Sequence, residues 1–165
     1  AAVIRLVGLM RAARAYRDAF AIVERFKEEI VDPSFYAVWV RLVLEQGDVS
    51  LAYNVLQDPF FDQTVLRSWE PVLLYRLLRL VKDESAGQIL VRAISEGSIT
   101  GNTRMLRGVG EQYLEENRLD EFEGLLKRHA SARLLEEVMD YIRTRLRRSR
   151  HRSVGDWSTN IGGTK

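Results

Sequence analysis

The feature of the chain that most constrains its fold is an internal period. Four small or apolar residues, Ala19, Ala52, Ala86 and Phe122, recur at spacings of 33, 34 and 36 residues. Each lies in the front turn of a helical stretch, which follows a polar break and an earlier helical stretch. A period of this length is typical of helical hairpins that stack on one another.

Local sequence signals agree with that period. Apolar residues return every three or four positions, and no run alternates at period two for long enough to suggest a sheet. Gly47 and Gly97 stand where a left-handed residue ends a helix, and Asp48 stands where a short polar side chain caps the next one. The sequence therefore predicts an all-α fold, a right-handed α-solenoid of about four helix-turn-helix repeats. A C-terminal basic helix and an irregular tail are expected to follow it.

Stacking explains why the hairpins do not stand alone. Residues 72–81 are apolar on most of the helix circumference, so neighbouring hairpins must cover them from two sides. Alanine at the repeated position lets two helices approach closely. Phe122 departs from this rule, and we expect it either to hold its helices further apart or to fill a gap at the end of the stack.

Length and composition set the outer limits. With 165 residues, of which 46% are hydrophobic, the chain has enough apolar material for a continuous core. It contains no cysteine, which excludes disulfides and thiolate zinc sites. No apolar stretch reaches the length of a membrane span. We predict a helical-repeat domain over residues 1–149 and an irregular basic tail over residues 150–165, with no membrane contact.

Positive charge is concentrated at the C-terminus. Residues 143–165 carry a formal charge of +6 and the rest of the chain −4, against a total of +2. Such a cluster favours a polyanionic partner, of which RNA is the commonest. An acidic protein surface and plain solvation of a helix end are the alternatives. The predicted RNA-binding arginines of this cluster are Arg143, Arg145, Arg147, Arg148, Arg150 and Arg152.

A weaker charge pattern separates the two helices of each hairpin. The predicted first helices carry a net charge of +3 and the second helices −4. In a solenoid one helix of every pair lines the surface that binds extended partners, so the first helices are candidates for backbone contacts with RNA. Ordinary surface charge is the alternative. The candidate arginines on these helices are Arg76, Arg79, Arg104 and Arg107.

Nothing in the sequence points to catalysis. The two histidines, His129 and His151, are not placed with acids in a way that suggests a metal site, and no glycine-rich phosphate loop is present. We expect no enzyme activity, no metal, no cofactor and no small-molecule substrate. In the C-terminal tail, Trp157 is the one side chain expected to anchor the segment on RNA or on a neighbouring subunit.

Residues 3–57 resemble pentatricopeptide repeats, and residues 69–129 do so more loosely. Tyr36 stands before Trp39 and Val40, Gly47 stands before Ala52, and Pro33 closes the first unit, which is similar to the pattern of that family. Tetratricopeptide repeats, which have nearly the same length, are the second choice. That second family usually places a further alanine late in the second helix, where this chain has Phe26 and Ile94.

The resemblance implies an RNA-binding protein of organelles. Members that read one base per repeat use a polar residue early in the first helix, and the corresponding positions here are Ile4, Ala37, Pro71 and Arg107. The first three cannot bond a base edge through their side chains, so we expect contacts with the RNA backbone and with neighbouring proteins. The expected function is that of a non-catalytic subunit of a mitochondrial ribonucleoprotein, such as the mitoribosome or an RNA-processing or editing complex. The alternative is a tetratricopeptide-like protein–protein scaffold without nucleic acid.

Overall fold

The computed structural model describes residues 1–158 of the 165-residue chain, with the side chains of residues 1–149. Every regular element in this range is an α-helix, so the predicted all-α class is confirmed. None of the helices in this range is both long and apolar enough to cross a lipid bilayer. The helices are α1 (Ala2–Ala12), α2 (Tyr16–Phe26), α3 (Pro33–Gln46), α4 (Val49–Gln57), α5 (Gln63–Trp69), α6 (Pro71–Leu80), α7 (Ala86–Ser95), α8 (Thr103–Glu115), α9 (Leu119–His129) and α10 (Ala132–Ser158).

The chain divides into two compact units. The first contains Ala1–Ser98 and the second contains Ile99–Lys165. The predicted domain over residues 1–149 thus spans both units. Each has its own buried side chains, among them Trp39 and Leu74 in the first unit and Leu106 in the second.

Each of the helix pairs α1–α2, α3–α4, α6–α7 and α8–α9 turns through one residue with a left-handed backbone. Gly47 has φ +63° after α3, as the sequence predicts. The other three are Arg14 (φ +59°), Lys82 (φ +57°) and Asn117 (φ +56°), which carry side chains. The four residues are 33, 35 and 35 positions apart. The sequence period is therefore present in the backbone as well.

Hydrogen bonds explain how side-chain-bearing residues hold this conformation. After α1, the Ala15 amide donates to the Met10 carbonyl at 2.8 Å, and the Arg14 amide donates to the Arg11 carbonyl at 3.0 Å. This pair of bonds is the Schellman motif, which satisfies carbonyls that a helix end would otherwise leave free. The same two bonds, 2.8 to 3.1 Å long, end α6 and α8.

The four periodic residues lie where the period predicts. Ala19, Ala52 and Phe122 are each the fourth residue of the second helix of a pair, and Ala86 opens α7. All four are buried. The spacing therefore marks the position at which the second helix of each pair packs into the core.

In the first unit, α3 lies at the centre. It packs against α1, α2, α4, α5 and α6, and its residues 35–40 are all buried. Arg11 near the end of α1 pairs with Glu45 near the end of α3 at 2.7 Å, which indicates that these two helices run in parallel. The sequence predicted that neighbouring helices cover residues 72–81 from two sides. The structure shows such cover more fully for α3, because the side of α6 that carries Arg76 and Arg79 stays exposed.

Helix α5 is an element that the sequence analysis missed. It occupies residues between two predicted hairpins, and the Asp62 carboxylate caps it by accepting from the Thr64 amide at 2.8 Å. Leu66 of this short helix is fully buried. Seven residues are too few to show a helical period, so tertiary packing rather than a sequence pattern selects this helix.

The second unit consists of α8, α9 and α10, which all contact one another. Phe122 of α9 is fully buried and stacks on Tyr113 of α8, with ring centroids 5.6 Å apart. A Cβ at Gly110 would come within 2.7 Å of the Phe122 ring and 3.0 Å of Ile142. Phe122 therefore fills the space over a glycine of the first helix, which is the gap-filling alternative of the two that the sequence suggested.

Helix α10 is longer than expected. Its backbone remains helical from Ala132 to Ser158, whereas an irregular tail was predicted from residue 150. Arginine is a good helix former, so a run of arginines without apolar periodicity does not by itself end a helix. The predicted tail residues beyond Ser158 lie outside the part that the structure describes.

Replacing Lys82 by glycine is expected to stabilise the protein by about 0.5–1 kcal/mol. The left-handed conformation costs a residue with a side chain about 1–2 kcal/mol, and glycine avoids this cost. Part of the gain is lost because glycine has more conformational freedom in the unfolded chain. Urea unfolding of the wild type and of Lys82→Gly measures the difference. The control, Gln88→Gly on the exposed face of α7, should lose about 1 kcal/mol. Equal losses in both variants would contradict the left-handed turn.

Two glycines of α8 offer a second matched test. Gly110→Ala should destabilise the protein by about 1–3 kcal/mol, because the added methyl group overpacks the core. The higher helix propensity of alanine offsets up to about 1 kcal/mol of this loss. Gly108→Ala should gain stability, since a Cβ there meets no atom within 4 Å. Thermal unfolding followed by circular dichroism ranks the variants, and a stabilised Gly110→Ala would show that Phe122 does not occupy this space.

Candidate nucleic-acid interface

The predicted RNA-binding arginines fall on three helices in two separate units. Arg76 and Arg79 lie on α6 in the first unit, and Arg104 and Arg107 lie on α8 in the second. The side chains of Arg150, Arg152 and Trp157 lie outside the described residues. The C-terminal arginines with described side chains are Arg143, Arg145, Arg147 and Arg148, all exposed on α10.

The two arginines of α6 stand on the exposed side of a largely buried helix. Arg79 lies over the ring of Tyr75, 5.7 Å from its centroid, and an Nη1 hydrogen bond of 3.3 Å joins it to the Tyr75 hydroxyl. Tyr75 itself is buried, so its ring acts as packing for Arg79 and not as a surface for a base. This pair of arginines forms a small basic patch on the first unit.

The arginine cluster of α10 is divided between two sides of the helix. The buried face carries Val138, Met139 and Ile142. On one flank, here called the α8-facing flank, lie Glu137, Tyr141, Arg145 and Arg148, which follow one another at intervals of three or four residues. The α9-facing flank carries Arg143 and Arg147. The four arginines of the cluster whose side chains the structure describes are therefore divided between two flanks of the helix.

Interlocking polar contacts join α8 to the α8-facing flank. Arg107 of α8 lies 3.5 Å from Glu137, and its guanidinium carbon is 4.5 Å from the centroid of the Tyr141 ring. The Tyr141 hydroxyl donates to the Glu111 carboxylate at 2.7 Å, and Arg145 pairs with the same carboxylate at 3.0 Å. Since later residues of α8 meet later residues of α10, the two helices run in parallel.

These contacts fix the charge and the position of Arg145. Its hydrogen bond with Tyr141 and the nearby Glu111 carboxylate raise the pKa of Arg145 above its already high ordinary value, so it is cationic at every relevant pH. Because Glu111 also neutralises part of this charge, Arg145 is less available to RNA than its sequence context suggests. Its side chain is nevertheless 59% exposed.

The α9-facing flank is paired more weakly. Arg143 lies 3.6 Å from Glu123 of α9, which is also 3.0 Å from Lys127. Exposed pairs of this kind contribute little energy, so they leave the guanidinium free to exchange partners. Arg147, one turn further along, forms no ion pair with any side chain that the structure describes.

A groove of about 390 Å³ opens between α8 and α10. Arginines contribute three of its lining side chains and carboxylates two, so the lining carries an excess of one positive charge. Arg104 lies one turn before Arg107 on α8. Its side chain is exposed but does not line the groove. The lining residues are Arg107, Glu137, Asp140, Tyr141, Thr144, Arg145 and Arg148.

Sequence analysis found the arginines of this region but missed Glu111, Glu137 and Tyr141. A usable signal was present, because the Arg145–Glu111 ion pair joins residues 34 positions apart, which is one repeat length. The pair Arg11–Glu45 in the first unit is separated by 34 positions. Opposite charges one period apart therefore indicate contacts between successive first helices.

The described residues contain no group of three or more histidines, aspartates or glutamates placed to hold a metal ion. His129 is exposed at the end of α9, and the side chain of His151 lies outside the described part. Among the aromatic side chains of the first unit, which could in principle stack on bases, Tyr36 and Trp39 are buried, whereas Trp69 is 49% exposed.

Comparison with known proteins identifies no relative. No protein-family model matches the chain, and searches of curated proteins and of solved structures give no match. The resemblance to pentatricopeptide repeats therefore stays a prediction from the residues that carry it.

Tyr141→Phe is expected to destabilise the second unit by about 1 kcal/mol, since it removes a hydrogen bond to a carboxylate that is partly exposed. The loss is measured by urea unfolding. Tyr16→Phe serves as the control, because the Tyr16 hydroxyl has no hydrogen-bond partner among the described residues. If combining Tyr141→Phe with Glu111→Ala costs the full sum of the single losses, the two side chains do not interact.

Proposed function

We propose that the protein is a non-catalytic, RNA-binding subunit of a ribonucleoprotein assembly, which holds the RNA backbone along α10. The observation that carries this proposal is a row of exposed arginines on one helix, of which Arg147 and Arg148 pair with no carboxylate among the described residues. Arginine forks match phosphate geometry, and phosphate contacts supply most of the affinity in sequence-independent binding.

Contacts with the backbone are favoured over base-specific recognition. Of the positions at which the resembled family reads bases, Ala37 and Pro71 are buried and carry no polar side-chain atom. Side chains of this kind have no means of distinguishing one base edge from another. The cations are also distributed over several helices at irregular positions, which suits a structured RNA better than a one-base-per-repeat register.

Two features support an α-solenoid as the scaffold for this function. The first helices α1 and α3, and likewise α8 and α10, pack in parallel, as successive repeats of a solenoid do. The left-handed turn residues recur with the same period. Together with the resemblance to pentatricopeptide repeats, these features favour an organellar assembly, and we place the protein in a mitochondrial ribosome or an RNA-processing or editing complex.

A protein-docking scaffold without nucleic acid is the second candidate, and one observation favours it. Leu6 and Leu9, one turn apart on α1, are 40% and 60% exposed. Exposed apolar side chains at neighbouring positions are typical of contacts with another protein. A scaffold of this kind would keep its partners after nuclease treatment, whereas an RNA-dependent assembly would lose them.

Replacing Arg143 and Arg147 together by glutamine should weaken binding of a structured RNA and lower the slope of log K against log salt by about 1.4–1.8. This corresponds to about 0.7–0.9 for each phosphate that is no longer bound, the range from single strands to duplexes. Fluorescence anisotropy at several KCl concentrations measures both quantities. The control is the double variant Arg17→Gln/Arg92→Gln on second helices of the first unit, which removes the same charge.

Two results would contradict the proposal. The first is a wild-type affinity that does not change between low and high salt. The second is an equal loss of affinity in both double variants, since this would reflect net charge and not a site on α10.

A further inference from the structure

The groove between α8 and α10 brings together three arginines that lie up to 41 positions apart in the sequence. We infer that this groove is a subsite for one phosphodiester of a single-stranded RNA segment, held by Arg107, Arg145 and Arg148. The inference rests on the proposed function and adds a defined site to it. The α9-facing flank then contacts other phosphates of the same RNA.

Arg107 has donors left for a ligand. Its pair with Glu137 measures 3.5 Å, longer than the 2.7–2.9 Å of a good charge-assisted hydrogen bond. Its Nε is buried and out of reach of a ligand, but the side chain as a whole is 38% exposed, so the donors left for a phosphate are those of the terminal guanidinium nitrogens. The Tyr141 ring supports one face of the guanidinium, so the side chain is held in place while its bonding capacity is not exhausted.

Arg145 and Arg148 supply the other side of the groove. Glu111 and Tyr141 hold Arg145 in a fixed position, which reduces the entropy lost when a ligand binds. Arg148 follows at the next turn and is exposed, with no carboxylate partner in the described part of the chain. Thr144 also lines the groove, and its hydroxyl can donate to a phosphate oxygen.

The charge of the groove matches a single phosphodiester. Three lining arginines face two lining carboxylates, Glu137 and Asp140, and Glu111 pairs with Arg145 from outside the lining, which leaves Arg148 as one lining cation without a carboxylate partner among the described residues. Asp140 and Glu137 would repel a ligand with several adjacent anionic groups. The groove thus favours an extended strand that places one phosphate in the groove and the adjacent phosphates outside it.

The surroundings of the groove favour RNA over the phosphate headgroups of a membrane. Every large apolar side chain found exposed among the described residues lies in the first unit, and none lies on α8, α9 or α10. Helices that bind membrane surfaces bury an apolar face among the lipids beside their basic face. The only apolar face that α10 shows in its described part is already buried against α8 and α9.

Two neighbouring glutamates of α10 provide the sharpest test. Glu137→Gln removes the carboxylate that competes for Arg107, so the Kd for a fluorescently labelled single-stranded 12-mer RNA should fall by about fivefold at low salt. Glu136→Gln makes the same change of charge on an adjacent residue outside the groove and should change the Kd by less than about twofold. Equal effects of the two substitutions would overturn the subsite.

The arginines give the complementary measurement. Arg107→Gln should raise the Kd by about tenfold and lower the salt slope by about 0.7, as expected when one charge-assisted bond to phosphate is removed. Arg92→Gln in the first unit removes the same charge and is the control. Circular dichroism and the Tm of each variant establish that folding is retained, and the Glu137→Gln result stands even if Arg107→Gln is unstable.

Failure of the subsite and failure of the proposed function give different results. If Arg107→Gln behaves like Arg92→Gln while Arg143→Gln/Arg147→Gln still weakens binding, the subsite is wrong and α10 remains the RNA site. If the wild type binds a structured RNA but not the 12-mer RNA, the subsite is wrong and the proposed function stands, whereas both proposals fall if it binds neither RNA. Binding to vesicles that contain phosphatidylserine, without binding to RNA, would assign the groove to lipid headgroups and overturn the inference.

Discussion

The structure depends on one constraint, the way in which the first helix of each pair ends. Four of these helices stop at a left-handed residue, and three of the stops are closed by the same two backbone hydrogen bonds. A helix that ends in this way reverses direction within a few residues, so its partner packs against it directly. The apolar sides of the pairs then find one another, as α1, α3 and α6 do in the first unit.

Parallel packing of first helices also organises the charged groups. Because α10 lies beside α8 in the same direction, side chains about one repeat apart come face to face at successive turns. Arg107 meets Glu137, and Glu111 meets both Tyr141 and Arg145. The same packing that builds the core therefore decides which arginines are neutralised within the protein and which remain available to an anionic partner.

The division of the arginine cluster changes how the C-terminal region is understood. In the sequence, the arginines form a single cluster, which suggests a single binding surface. On the helix it becomes two flanks, one built into a groove with acids and a tyrosine, and one facing α9 with a single loose pair to Glu123. A partner that contacts both flanks must therefore lie across the exposed side of α10 that separates them.

The sequence by itself determined the helical class, the period and some of the helix boundaries, because these follow from local rules of spacing, capping and turn formation. Gly47 and Asp48 mark a helix boundary through their own backbone and side chain, whatever surrounds them. Only the tertiary structure decided the existence of α5, the fit of Phe122 over Gly110, and the pairing of Arg107 and Arg145 with acids. These depend on contacts between residues far apart in the chain, and the sequence states which charges are present but not which of them meet.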